Sequence, residues 1–428
     1  MAKKVELISS SLVSGTAAAS MSRLELNSWD LRLFHIFPIE RGLIFHIPHI
    51  QSQQHLIQHL KNSLSRALDF FPPLAGRLAA TPHDGDTACF FVDCNNAGGE
   101  FTHAVAAAVS ISDIIEPRCI PEIVSSLIPI NVGVTNYDGI SKPLLAVQVT
   151  ELTDGLFIGC AANHAVVDGT SFWHFLNSWS EISRGSESIS RSPIFDRCNA
   201  AAVDNRLIHI PTLEKNLIAP SQLLPQKVFH FSKEKLGELK AKANSEAGTD
   251  KISTLQALMA HLWRSTVRSH TTNNDSTTRL MATAIGVRAR MSSLPDGYFG
   301  NAVYPAALAI SEGELLQKGL GAAALRINEL ISKQTDEAIR RDTEKKVDFQ
   351  HWEVGSGPLA LAFGGSHRLD VYGCDFGWGK PIAVRSGKAW NMEGLVVVSP
   401  AAEAGGIDLE VCLSEEKLVA LEEFITSV

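Results

Sequence analysis

Between Arg184 and about Gln226 the chain loses its periodicity. Apolar residues stop recurring at helix or strand spacing, Ser, Asn and Asp accumulate, and Pro193, Pro211, Pro220 and Pro225 interrupt any extended element. A stretch like this near the middle of 428 residues marks a linker, and a chain of that length exceeds one ordinary hydrophobic core. The expected organisation is a domain over 1–185, a linker over 186–226 and a second domain over 227–428. Both halves mix strand and helix patterns. In the first, Leu56, Leu60, Leu64 and Leu68 share one side of a helix running from about Gln53 to Phe70. In the second, a strand over Lys227 to Phe231 leads to Ser232 as an N-cap. Ser253 and Gln256 then form a capping box for a helix carrying Leu258, Leu262 and Trp263. The chain closes on a helix with Glu415 and Glu416 in its first turn and Leu418, Leu421 and Ile425 facing inward.

Chemistry concentrates at Asn163-His164-Ala165-Val166-Val167-Asp168-Gly169. A strand over Leu144 to Leu152, an Asp154-Gly155 hairpin turn and a second strand over Leu156 to Cys160 lead up to it. A helix follows, with Phe172, Phe175, Leu176, Trp179 and Ile182 at helical spacing and Gly185 at its stop. His164 and Asp168 therefore sit on a strand-to-helix connection held from both ends. Such a pair reads as a catalytic base with a neighbouring carboxylate, although taken alone it is more often a cap or a core contact.

Composition narrows the alternatives. Hydrophobic residues at 45% and charged residues at 20% suit a globular protein, and no apolar run is long enough to span a bilayer. The first residues, Met1-Ala2-Lys3-Lys4-Val5-Glu6-Leu7, lack the apolar stretch of a signal peptide, so a cytoplasmic protein is expected. Cys89, Cys94, Cys119, Cys160, Cys198, Cys374 and Cys412 are odd in number and contain no C-x-x-C pair, which argues for reduced thiols and against a zinc ribbon. Cys160 and Cys374 read as small buried thiols before nucleophiles. His46 and His49 are separated by a proline and lack a third ligand nearby, so no metal site is expected. A net charge of −8 gives no field for nucleic acid, and an anionic cofactor would need a local cluster, for which Lys251, Arg288, Arg290, Lys380 and Arg385 are the candidates. There is no G-x-S-x-G elbow, no phosphate loop and no H-E-x-x-H, and the F-G-W-G-K-P-I stretch lacks the third glycine of a dinucleotide fingerprint.

In the second half stands Asp375-Phe376-Gly377-Trp378-Gly379. The H-x-x-x-D-G and D-F-G-W-G pair is accompanied, in order, by Leu26-Asn27-Ser28-Trp29-Asp30, by Phe71 to Leu78, by Ser253 to Ala257 leading to His261-Leu262-Trp263-Arg264, and by Tyr298-Phe299-Gly300-Asn301. Over nearly its whole length the chain resembles the plant BAHD acyltransferases. The resemblance implies an α/β fold of two similar-sized chloramphenicol-acetyltransferase-like domains with a solvent channel between them, and a segment around 360–385 exchanged between the domains. It implies acyl-CoA as a co-substrate, no bound cofactor, a small-molecule alcohol or amine as acceptor, and a monomer. His164 would be the general base. Asp168 would pair with Arg288, while Asp375, Gly377, Trp378 and Gly379 would form a structural corner. Coenzyme A would be met by Lys251, Ser253, Thr254 and Arg290. The acceptor would be met by His35, Ile36 and Phe37, with Asn301 as an oxyanion or pocket donor. Val287 departs from the Asp or Asn that many relatives carry there.

A thioester carbonyl is already activated, so one positioned histidine suffices to take the acceptor's proton and return it to the departing thiolate. Asp168 could orient that histidine, as in serine hydrolases, or brace the loop. Competing readings are a peptide condensation domain, which would carry a second histidine where this chain has Asn163, a hydrolase or lyase of a conjugate on the same fold, and a non-catalytic binding protein.

Overall fold

A computed structural model describes residues 4–17, 20–47, 53–129, 133–197, 207–209, 223–270, 274–343 and 361–425. Much of the expected linker, including Pro211 and Pro220, lies outside the described residues, as do His49 and Cys198. The first half runs β1 (Glu6–Val13), β2 (Arg23–Glu25), α1 (Ser28–Leu31), β3 (Ile39–His46), α2 (Gln53–Phe70), β4 (Arg77–His83), β5 (Thr87–Asp93) and β6 (Gly99–Val105). It continues through α3 (Ser112–Ile115), β7 (Leu145–Glu151), β8 (Gly155–Ala162) and α4 (Gly169–Ser183) to β9 (Leu207–His209). The second half opens with β10 (Gln226–Phe231), α5 (Lys233–Ala247), α6 (Thr254–Ser269), β11 (Thr278–Gly286) and β12 (Val303–Ser311). It ends with α7 (Glu312–Gln317), α8 (Gly319–Ser332), α9 (Asp336–Thr343), β13 (Leu361–Gly365), β14 (Ala383–Ser386), β15 (Leu395–Pro400), β16 (Ile407–Cys412) and α10 (Glu415–Ile425).

These strands build two six-stranded mixed sheets, ordered β1-β6-β7-β8-β3-β14 and β10-β16-β15-β13-β11-β12, and a smaller sheet of β2, β5 and β4 with β9 beside β5. Helices α2 and α4 cover the first sheet, and their leucine and aromatic faces enter its core. Helices α5, α6, α8 and α10 form the second core. β7 is buried at every position, so it reads as a strand covered on both faces and not as an alternating one. The hairpin turn differs from expectation by one residue. Leu152 N–H bonds the Gly155 carbonyl at 2.9 Å, which centres the turn on Thr153-Asp154. Gly155 already belongs to β8, where a side chain would run into the Phe45 carbonyl of the adjacent strand, and the Asp154 carboxylate accepts from Ile111 N–H at 2.8 Å.

The chain then returns to the first sheet from the second. β13 stays beside β11 and β15, but Val371, Cys374 and Phe376 sit in the first core and β14 pairs antiparallel with β3. The crossing therefore begins after Gly365. Its corner is Asp375 to Gly379, where Asp375 Oδ1 accepts from Gly377 N–H (2.8 Å) and Gly379 N–H (3.0 Å) and both glycines take positive φ, +112° and +105°. Phe376 stacks on Trp378 and meets Trp179 and Phe45 edge-on, while Arg184 and Ser183 donate to the Asp375 and Phe376 carbonyls. Where the two sheets approach, Arg41, Trp173, Val384, Val398 and Glu410 line a small cavity of about 20 Å³. Among the described residues no helix is long and apolar enough to cross a membrane.

Candidate active site

His164 is held by its main chain. After β8 the loop tightens as Val166 and Val167 N–H bond the Asn163 carbonyl (2.9 and 3.2 Å), and the Asn163 side chain accepts from Ala165 N–H at 3.0 Å. His164 N–H donates to Asn136 Oδ1 at 2.7 Å, and its carbonyl accepts from Asn301 Nδ2 at 2.8 Å. The same Asn136 donates to the Leu33 and Phe37 carbonyls (2.7 and 3.3 Å), so the segment containing His35, Ile36 and Phe37 is tied to the histidine. Trp390 completes this side. Its ring lies 6.1 Å from the imidazole and 6.2 Å from Phe37, and its N–H is committed to the Phe37 and Pro38 carbonyls (3.1 and 3.0 Å). His164 is partly exposed, yet Nδ1 is fully buried, so the accessible edge is the one that carries Nε2.

Asp168 points elsewhere. Its side chain caps α4 by accepting from Ser171 N–H at 2.9 Å. It also receives both Arg288 Nη atoms (2.5 and 3.0 Å) and Ala302 N–H (3.0 Å). None of these bonds reaches the His164 ring. Burial alone would raise the Asp168 carboxyl, but the guanidinium and the N–H donors outweigh it and hold it below its ordinary 3.8. Arg288 comes from the segment after β11, so this bidentate pair joins the two halves at the loop carrying the histidine.

A second buried pair lies beside it. Arg197, 4% exposed, donates Nε to Asp30 at 3.0 Å, Nη2 to the Val166 carbonyl at 3.1 Å and Nη1 to the Phe299 carbonyl. One guanidinium thus joins the Asn27–Asp30 turn, the His164 loop and the Tyr298–Asn301 segment. Gly300 is required here, because a side chain would occupy the place of the Arg197 guanidinium. Tyr298 lies between Arg197 and Arg288, 5.3 and 5.6 Å from its ring.

Other candidates are placed differently. Ser253 and Gln256 complete their capping box at the start of α6, Lys251 is exposed there, and Asn328 donates to the Lys251 carbonyl at 3.1 Å. Thr254 opens that helix, and no hydrogen bond or ion pair among the described residues links this group to the His164 loop. Arg290 donates to the Gln334 carbonyl at 3.0 Å, Lys380 is exposed, and Arg385 is buried on β14. The five basic residues do not form one cluster of contacts. Asn301 departs from the role of oxyanion donor, because both of its amide hydrogens are committed, to Asp30 Oδ1 (2.9 Å) and to the His164 carbonyl. Cys160 and Cys374 are buried, which pushes both thiols up and away from the reactive thiolate. Among the described residues no group of His, Cys, Asp and Glu could hold a metal ion.

Burial lowers the His164 imidazole from its ordinary 6.5, against the pull of its own carbonyl, Asp168, Asn301 and Val167. The ring is therefore neutral and able to accept a proton at pH 7. For any reaction that uses it as a base, activity is expected to stay level through neutrality and to fall as pH drops through a value below 6.5. A kcat/KM profile measures this, and an acid limb centred above 6.5 would contradict the environment described.

Comparison with known proteins brings four likenesses. A model described as the transferase family matches residues 3–427. An uncharacterized acetyltransferase of Arabidopsis thaliana is 37% identical, over 97% of this chain and 97% of its own, and the BAHD acyltransferase DCR of the same plant is 32% identical, over 99% and 93%. Among solved structures, TRI101 of F. graminearum in complex with coenzyme A and deoxynivalenol superposes with a TM-score of 0.74 at 18% identity, over 94% of this chain and 97% of that one.

Proposed function

The chain belongs to the BAHD acyltransferases, and from that premise we propose that it moves an acyl group from an acyl-CoA thioester to the hydroxyl of a small plant metabolite, with His164 as general base. The observation that carries this reading is the setting of His164: a neutral imidazole on a rigid loop, accessible at its Nε2 edge, with no activated nucleophile beside it. In the step proposed, Nε2 removes the acceptor's proton as its oxygen attacks the thioester carbonyl, and the C–S bond breaks. The proton then passes from Nε2 to the departing thiolate. The coenzyme A complex of TRI101 supports the donor class. A hydroxyl is favoured over an amine because a neutral alcohol is a poor nucleophile until its proton leaves, so the base matters most there.

The aromatic wall of Phe37 and Trp390, with the indole N–H already bonded to backbone, favours an apolar or aromatic acceptor beside the histidine. Purified protein incubated with several acyl-CoA donors and a panel of alcohols and amines, read by mass spectrometry, tests the proposal. An acylated acceptor supports it, whereas thiol release without acylated product turns the reading to a hydrolase.

Direct transfer in a ternary complex has its own signature. Cys160→Ala and Cys374→Ala are each expected to keep most of the activity, and reciprocal plots are expected to intersect. An acylated enzyme detected by intact mass after acyl-CoA alone, and lost with one of these cysteines, would establish a covalent route instead.

A further inference from the structure

At the end of β14 the chain turns through residues 386–391, and this turn carries Trp390 from the second half to the imidazole. Its start is fixed by Glu410, whose two carboxylate oxygens accept from Ser386 N–H at 3.1 and 3.0 Å. Its end is fixed by Asn391, which exchanges bonds with the Leu224 main chain at 2.6 and 2.8 Å. The middle rests on Glu40. This side chain, 4% exposed, reaches from β3 across 349 residues of sequence to accept from Ala389 N–H at 2.9 Å. Gly387 makes the approach possible, because a side chain there would run into the Glu40 carboxylate. Ala389 is itself buried, so its N–H needs an acceptor inside the protein. Holding a carboxyl there is costly: burial pushes it up to about 7, against the pull of Ala389 N–H and Arg41. The reaction proposed above makes no use of Glu40.

We infer that Glu40 is a specificity-determining positioning residue: by fixing Ala389 it sets the indole of Trp390 against Phe37 and His164, and so limits the acceptor to a flat, apolar or aromatic alcohol that fits beside that wall. The inference deepens the proposed reaction and rests on the acceptor lying beside His164. Two bonds join the turn to one short stretch of the first half. Trp390 directly follows Ala389, and its N–H is shared between the carbonyls of Phe37 and Pro38, which stand just before Glu40 in the chain. The indole is thus clamped through both its ring and its main chain. Without the carboxyl, Ala389 N–H loses its acceptor and the indole keeps only the ring-side bond. A wall that can tilt no longer selects the thickness of the acceptor. The base keeps its place, because the His164 main chain is held by Asn136 and Asn301 and not by this turn.

Acrylamide quenching of Trp390 fluorescence, taken as the difference between a protein and its Trp390→Phe counterpart, reads the wall without any substrate. Glu40→Ala is expected to raise that quenching, and to raise the KM of an aromatic alcohol by about tenfold while the KM of acyl-CoA stays at the parental value. Glu40→Gln is expected to restore both, since its amide oxygen can accept from Ala389 N–H as the carboxyl does. Gly387→Ala, whose methyl group displaces the carboxyl, is expected to repeat the Glu40→Ala result and decides the matter should Glu40→Ala not fold. Trp390→Ala is expected to remove the preference for thin over bulky acceptors. Parental quenching in Glu40→Ala or Gly387→Ala, an equal rise in both KM values, or a parental ranking of acceptors in Trp390→Ala would each overturn the inference. Should no acceptor be acylated at all, the proposed reaction fails, while the quenching comparison still decides whether Glu40 positions Trp390.

Discussion

Replacing His164 by alanine is expected to lower turnover by about two to four orders of magnitude, equivalent to roughly 3–5 kcal/mol of barrier, while the protein keeps its fold and still binds coenzyme A. The size follows from what is removed. The proposed base is lost, and among the described residues Asp168 is tied to Arg288 and the thiols of Cys160 and Cys374 are buried, so none of these takes its place. Retention of the fold follows from how the residue is held. Its N–H and carbonyl, bonded to Asn136 and Asn301, survive the substitution, and the ring packs edge-on against Trp390, its one aromatic neighbour among the described residues. Single-turnover release of coenzyme A thiol, measured beside the melting temperature, separates the two effects. Near-parental turnover in a folded His164→Ala protein would remove the residue from the mechanism.

What could be read from the chain divides along a physical line. Local periodicity is written in consecutive residues, so the leucine face of α2, the aromatic face of α4 and the capping box of α6 could be read before any coordinates. Order within sheets is not local. Nothing in Ala383–Ser386 announces that it will pair with β3, and the burial of β7 on both faces depends on neighbours far away in sequence. The site divides the same way. His164, Asp168 and Arg288 stand in recognisable motifs. Arg197, Asn136 and Trp390 do not, and each acts through contacts more than twenty-five residues away in sequence. Arg197 is the least legible of the three, because an arginine in a Ser- and Pro-rich stretch has the composition of a solvated surface, yet its guanidinium joins three motif segments at 4% exposure. One signal was present: Asp30 closes the Asn27–Asp30 motif without any chemistry of its own, and a carboxylate that is to be buried needs a cation.

Removing the carboxylate of Asp168 is expected to cost both stability and activity. Asp168→Ala leaves Arg288 without its bidentate partner, exposes the first turn of α4 and frees Ala302 N–H inside the protein. Breaking a buried pair from one side typically costs about 3–5 kcal/mol, and Arg288, 22% exposed, places this one toward the lower end. Activity is expected to fall with it, since Asp168 anchors the loop that carries His164. The pH dependence has a definite sign. The folded carboxyl lies below its ordinary 3.8, so the stability it provides is present above that value and is lost only as pH falls through the lower, folded value. Between pH 5 and 8 the Asp168 contribution is constant, so a change of rate there does not come from Asp168. Asp168→Asn, Arg288→Met and the double variant form a cycle that separates bracing from orientation. If the pair braces the loop, the two single losses overlap and the double variant loses less than their sum in both melting temperature and rate. If Asp168 instead oriented the imidazole, Asp168→Asn would shift the His164 tautomer, as Arg288→Met would not, and the losses would add. The carboxylate already has donors at both oxygens and none comes from the ring, so the overlapping outcome is the one the geometry requires.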